Sequence, residues 1–99
     1  MFIHTVFFWL KPSAPAGEAQ RIAASCRELL TKIPTVLRLD TGHPANTPRD
    51  VVDNSYHVAL SISFATSADH DIYQSHPLHD DFINRHKEHW QRVQVYDFK

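Results

Sequence analysis

The apolar positions along the chain fall into a small set of stretches with distinct periods. Residues 2–10, "FIHTVFFWL", are dense in aromatic and β-branched side chains and stop at Lys11-Pro12, which predicts a strand. In "PAGEAQRIAASCRELLTKI" good helix formers run from Gly17 onward. Ile22, Cys26, Leu29, Leu30 and Ile33 recur there at helical spacing until Pro34 ends the run. "TVLRLDTGH" alternates Val36, Arg38 and Asp40 with Leu37, Leu39 and Thr41, a second strand closed by Gly42 and Pro44. "YHVALSISF" has a clean period of two, with Tyr56, Val58, Leu60, Ile62 and Phe64 assigned to one face. "SADHDIYQS" opens a helix with Ser67 as its expected cap, "PLHDDFINRHKEHWQRV" reads as a further helical run, and "VQVYDF" closes as a strand. The polar stretch "HPANTPRDVVDNS" is the one long loop.

The order β-α-β-β-α-β predicts an α+β fold of the ferredoxin-like class: a four-stranded antiparallel sheet with its helices on one face, as a single domain over residues 1–99. The first strand qualifies that picture. One of its faces carries Phe2, His4, Val6, Phe8 and Leu10, the other Ile3, Thr5, Phe7 and Trp9, so both are apolar. Helices cover one face of such a sheet, and the other is ordinarily polar. A second copy packed sheet to sheet resolves the conflict, and the expected contact face is the one bearing Val6, Phe8 and Leu10. The alternative is a monomer whose long loop folds over the open face.

Charge narrows the partners. The chain has 10 basic and 11 acidic side chains and no Lys/Arg block, which argues against nucleic acid or an anionic membrane. Cys26 is the only cysteine, which excludes an internal disulfide and fits a reducing compartment. The apolar N-terminus has no basic flank or cleavage site and is too short to span a bilayer, so the protein is expected to be soluble and cytoplasmic.

Chemistry is concentrated in histidine, of which there are 8. In "YQSHPLHDDF" Pro77 suits the first position of a helix and pushes His76 out of the α region, so the chain breaks before Pro77 and restarts there. Helical spacing then places His79 on one face with Phe82, Ile83, His86 and Trp90. His4 shares a strand face with Val6 and Phe8, and His57 stands beside Ala59, Ser61 and Ser63, small residues that leave room for something. Three readings stay open. His76 and His79 hold a metal; or His76 caps a helix while His79 hydrogen-bonds inside the core; or the histidines line a ligand pocket with phenol hydroxyls poised for proton transfer. Two histidines three apart across a proline, without a Cys pair or a matching carboxylate, are a poor metal signature, and no metal or cofactor is expected.

The segments "MFIHTVFFWLK", "IPTVLRLDTG", "SYHVALSISF", "DIYQSHPLHDDF" and "WQRVQVYDF" together resemble the stress-responsive A/B barrel (Dabb) family over essentially the whole chain. The resemblance implies a small α+β fold whose dimer closes a barrel. A plant polyketide cyclase of that family, which works without a metal, implies catalytic roles for residues matching His79 and Tyr73, and its histidines near the start of the first and third strands match His4 and His57. It also implies a pocket wall of Val6, Phe8, Phe82, Trp90, Val93 and Val95, to which Cys26, Ala59 and His76 are added as neighbours. The pattern departs at Cys26, Ala23 and Arg85, where the cyclase has a tyrosine, a phenylalanine and an aliphatic residue. The expectation is therefore a homodimer holding a small hydrophobic or aromatic molecule beside a Tyr/His pair. The alternatives are a cofactor-free lyase, cyclase or isomerase with His79 as base, and a structural dimer with no pocket.

Overall fold

The computed structural model describes all residues, Met1–Lys99. Strand β1 spans Phe2–Leu10, helix α1 Glu18–Leu29, β2 Arg38–Gly42, β3 Val58–Phe64, α2 Ser67–Ser75, α3 Pro77–His86 and β4 Trp90–Phe98; short 3-10 turns at Leu30–Lys32 and Lys87–His89 extend α1 and α3. The strands form one antiparallel sheet in the order β2-β3-β1-β4. This is the ferredoxin-like arrangement.

Local rules explain the boundaries. Gly17 begins α1 at φ 83, a left-handed conformation that a side chain would strain. Thr66, not Ser67, caps α2: its hydroxyl accepts from the Asp69 amide at 3.1 Å. Pro77 starts α3, and His76 before it is extended at ψ 141. The helical run ends at His86, earlier than the pattern suggests, because Trp90 already belongs to β4. Loop chain likewise takes Thr35–Leu37 from the expected second strand.

The sheet register decides which face is inside. His4 pairs with Ile62 and Asp97, Val6 with Leu60 and Val95, Phe8 with Val58 and Val93. Val6 and Phe8 are buried with Val58, Leu60, Ile62 and Phe64 under Ile22, Cys26, Leu29, Tyr73 and Phe82 of the helices. Each such side chain, fully buried, contributes roughly 1.5–3 kcal/mol. The face expected to meet a second copy is therefore the helix-covered core. The open face bears Ile3, Phe7 and Trp9 of β1, Ser61 and Ser63 of β3, and Arg92, Gln94, Tyr96 and Phe98 of β4.

The long loop covers one end of that open face. Tyr56 packs edge-on against Phe7 with ring centroids 4.9 Å apart, and Trp9 Nε1 donates to Ser55 Oγ at 3.0 Å. Tyr56 thus lies on the opposite face from Val58, because regular pairing starts only at Val58. Tyr96 and Phe98 remain 59% and 61% exposed.

A buried polar chain fastens α1 to α3. The Glu18 carboxylate accepts from His86 Nδ1 at 2.9 Å, and Ser25 Oγ lies 2.8 Å from His86 Nε2. Burial opposes ionisation of Glu18, yet hydrogen bonds from His86 and Arg21 outweigh it and hold the carboxyl below its ordinary 4.5. The folded value lies below the unfolded one, so this stabilisation is present at neutral pH and is lost as pH falls through the folded value. His86→Ala leaves a buried carboxylate short of its partner and is expected to cost about 3 kcal/mol at pH 7. Urea unfolding checks this; a loss under about 0.5 kcal/mol would mean that the pair adds nothing.

Candidate functional site

The helices lie over the middle of the sheet and leave the inner side of its edge strand β4 uncovered. Val93 and Val95 point inward from β4, opposite Phe8 and Val6, yet each is 41% exposed. Between them and the α2–α3 joint lies a cavity of about 170 Å³. Its apolar wall is Val6, Phe8, Phe82, Trp90, Val93 and Val95, with Leu60 and Ile83 at its margins. Its polar side is His4, Tyr73, Gln74 and His79.

The break at His76 is what brings Tyr73 and His79 together. Tyr73 comes from the last turn of α2 and His79 from the first turn of α3, and their rings meet edge-on with centroids 4.8 Å apart. His4 approaches the Tyr73 ring from β1 at 5.8 Å. Its Nδ1 donates to Asp97 Oδ1 at 2.6 Å, which directs Nε2 to remain the acceptor of the ring. His79 Nδ1 and Trp90 Nε1 are buried and have no hydrogen-bond partner in the chain. The idea of His79 as a satisfied core histidine fails on this point.

The electrostatics keep His79 and Tyr73 neutral. Burial lowers the His79 pKa below its ordinary 6.5; Asp80 opposes this, while His4 and His70 reinforce it. Burial, with a smaller contribution from Cys26, pushes the Tyr73 phenol well above its ordinary 10. At neutral pH the site therefore offers an uncharged imidazole beside a protonated phenol. That pair can accept one hydrogen bond and donate another to a carbonyl, phenol or similar group.

Four expected members lie elsewhere. His57 sits at the far end of β1, where its Nδ1 accepts from the Leu10 amide at 3.0 Å. It faces a separate, open hollow with Lys11 and Glu18. Ala59 faces the open side of the sheet with Ser61, so the small residues of β3 make no room in this cavity. Cys26 is buried in the core outside the cavity, and burial raises its thiol to about 12. Ala23 is buried there too, and Arg85 is exposed, 3.9 Å from Glu28. His76 caps α3, its Nδ1 accepting from the Leu78 amide at 3.1 Å.

Sequence reasoning missed Trp90 Nε1 as a free donor, Gln74 as a polar neighbour and Asp97 as the partner of His4. The strand pairing of His4 with Asp97 is the signal that places the last of these. Metal-binding residue types converge in one place, His4, His70 and Asp97, whose donor atoms lie within 4.8 Å of one another; neither histidine of "HPLH" belongs to that set.

The fold has close structural counterparts. A Dabb family protein from Mesorhizobium loti superposes with a TM-score of 0.78 at 25% identity, covering 99% of this chain and 94% of that one. A dimeric ferredoxin-like protein of unknown function from Thermobifida fusca gives 0.83 at 14% identity, covering 98% and 88%. Hydroxynitrile lyase from Passiflora edulis gives 0.81 at 19% identity, covering 98% and 90%. No curated protein matches the sequence itself. Residues 2–99 match the family model of the Stress responsive A/B Barrel Domain, and the chain belongs to that Dabb family.

Proposed function

We propose that the protein is a homodimer that holds a small hydrophobic or aromatic molecule in the cavity beside Tyr73 and His79. One observation carries the reading: the two side chains that hold a buried nitrogen without a partner, His79 at Nδ1 and Trp90 at Nε1, are both wall residues of this one cavity. An unpaired buried polar atom costs about 1–3 kcal/mol, a cost that a ligand with one polar group removes. The cavity's 170 Å³ is close to the roughly 150 Å³ that accommodates benzene, so the ligand is a single ring with a polar substituent. The sole cysteine, Cys26, is buried, in keeping with a protein that works in the cytoplasm.

A second reading is a cofactor-free lyase, cyclase or isomerase acting on a small carbonyl compound. The edge contact of Tyr73 with His79 favours it, as does the structural likeness to the Passiflora edulis hydroxynitrile lyase. Neutral His79 would take a proton from the substrate while Tyr73 donates to the carbonyl oxygen. His4, oriented by Asp97, would hold the second polar group of the substrate.

The second copy belongs on the open face, where Ile3, Phe7, Tyr96 and Phe98 lie beside the polar residues of β2 and β3. Neighbours that are themselves dimeric support a dimer. A stable pair needs at least ~1,200 Å² of buried surface, which that face supplies only if the aromatic side of the sheet is engaged.

Titration of the protein with 4-methylphenol and benzaldehyde, followed through the His79 and Trp90 nuclear magnetic resonance signals, tests the cavity. Saturable shifts are expected, with the phenol weakened about tenfold in His79→Ala while benzene binds both forms alike. Acid weakens phenol binding only below pH 6.5, because protonation removes the imidazole acceptor. His79→Ala should melt within about 1 kcal/mol of the parent, since no partner is stranded. Absence of any shift at millimolar ligand, or a loss of several kcal/mol in the variant, would refute the pocket. Benzaldehyde released from mandelonitrile above the background rate, and lost in His79→Ala, would select the enzyme reading.

Sedimentation equilibrium at micromolar concentration should give twice the 11.4 kDa chain mass, and Phe7→Asp should give the single chain with an unchanged circular dichroism spectrum. A parent protein that sediments as a monomer would overturn the dimer.

A further inference from the structure

We propose that His4, His70 and Asp97 form a site for one divalent transition-metal ion, zinc being the representative, at the sheet edge beside the cavity. Three separate elements supply the donors: His4 comes from β1, His70 from α2 and Asp97 from β4. Their donor atoms lie within 4.8 Å of one another. The chain brings two imidazoles and a carboxylate together in this way nowhere else.

The surroundings suit an ion better than a simple hydrogen-bonded pair. His4 and Asp97 alone would explain a 2.6 Å contact between paired strands, but they do not explain a second imidazole with its centroid 4.7 Å from His4. The His70 ring is held in place by apolar groups, stacked on Phe2 at 4.5 Å and edge-on to Phe64 at 5.4 Å. Its recorded hydrogen bond goes to exposed Gln74 at 2.9 Å, a partner that water can replace. The carboxylate brings negative charge to the set, which a divalent cation compensates.

Metal–ligand distances of about 2.0–2.1 Å require donors roughly 3.4 Å apart in a tetrahedron, so the ion must replace the proton shared by His4 and Asp97 and open their 2.6 Å contact, while donors as far apart as 4.8 Å draw in. The member able to move is Asp97, whose side chain is 37% exposed near the chain terminus. Two nitrogens and one oxygen favour zinc, cobalt or nickel over magnesium and calcium, which take oxygen ligands. Three protein ligands leave a fourth position for water or a small anion. His70 and Asp97 do not line the cavity but His4 does, so the ion shares one side chain with the ligand site, and metal binding is read directly rather than through ligand binding.

The test uses tag-free protein stripped with a chelator and titrated with zinc and cobalt(II), by calorimetry and by the visible absorption of bound cobalt. One ion per chain with micromolar affinity is expected. His70→Ala and Asp97→Asn should each weaken it by about tenfold or more. His76→Asn, which retains a helix cap, should leave it unchanged. His70 is half-buried and Asp97 exposed, so at least one of the two variants keeps its fold, which circular dichroism confirms. Affinity no tighter than millimolar would overturn the site. So would binding that survives in a folded His70→Ala or Asp97→Asn variant, or binding that is lost in His76→Asn.

Discussion

Everything in this small domain follows from one mismatch of coverage: the sheet is wider than the helices that lie on it. Helices α1, α2 and α3 bury Val58, Leu60, Ile62 and Phe64 of β3 and Val6 and Phe8 of β1. They stop short of β4, where inward-pointing Val93 and Val95 keep contact with solvent. A side chain as large as Phe or Leu at those positions would fill the gap. Two valines instead leave a hollow whose far wall is the α2–α3 joint, and that joint is where the chain presents Tyr73 and His79. The cavity is thus a consequence of short β-branched residues on an edge strand meeting a proline-broken helix.

The break itself is inexpensive. Pro77 lacks an amide donor at a position where a helix has no use for one, and His76 supplies a side-chain acceptor for the next free amide. One residue of "HPLH" is therefore spent on the turn, and the other is turned toward the cavity with a nitrogen unpaired. The two histidines look equivalent in the sequence and are opposites in the structure. Burial then sets the chemistry: it makes the imidazole a poor base for protons from water while leaving it a good acceptor for a buried hydroxyl.

Element types and their order were legible because each has a strong period and a firm stop: Lys11-Pro12, Pro34, Gly42 and Pro77. What stayed hidden was which side of β1 faces the helices. Alternation assigns residues to two faces, but with Phe and Val on one and Phe and Trp on the other it gives no sign of which is inner. The answer came from β3, whose inner residues are all large and whose outer ones are Ala59, Ser61 and Ser63. That same reading error put His57 and Ala59 into the pocket. The wall residues that the family resemblance implies, on β1, α3 and β4, all surround the cavity beside Tyr73 and His79. Helical spacing grouped Trp90 with His79, and the two do line one cavity, but Trp90 stands at the start of β4 and not on the helix.

The serine, histidine and carboxylate of Ser25, His86 and Glu18 illustrate why spacing of groups does not make a site. Their hydrogen bonds of 2.8 and 2.9 Å have the order of a nucleophile, a base and an orienting acid. Yet neither Ser25 nor His86 lines any of the cavities, so no substrate carbonyl has a place to stand. The chain of bonds runs between two helices and joins them across the layer. Tyr73 and His79 have the opposite properties, since they make fewer bonds to the protein and face an empty volume. In a domain of this size, polar groups that are fully satisfied hold the fold, and those left without a partner, as on His79 and Trp90, contribute no such tie.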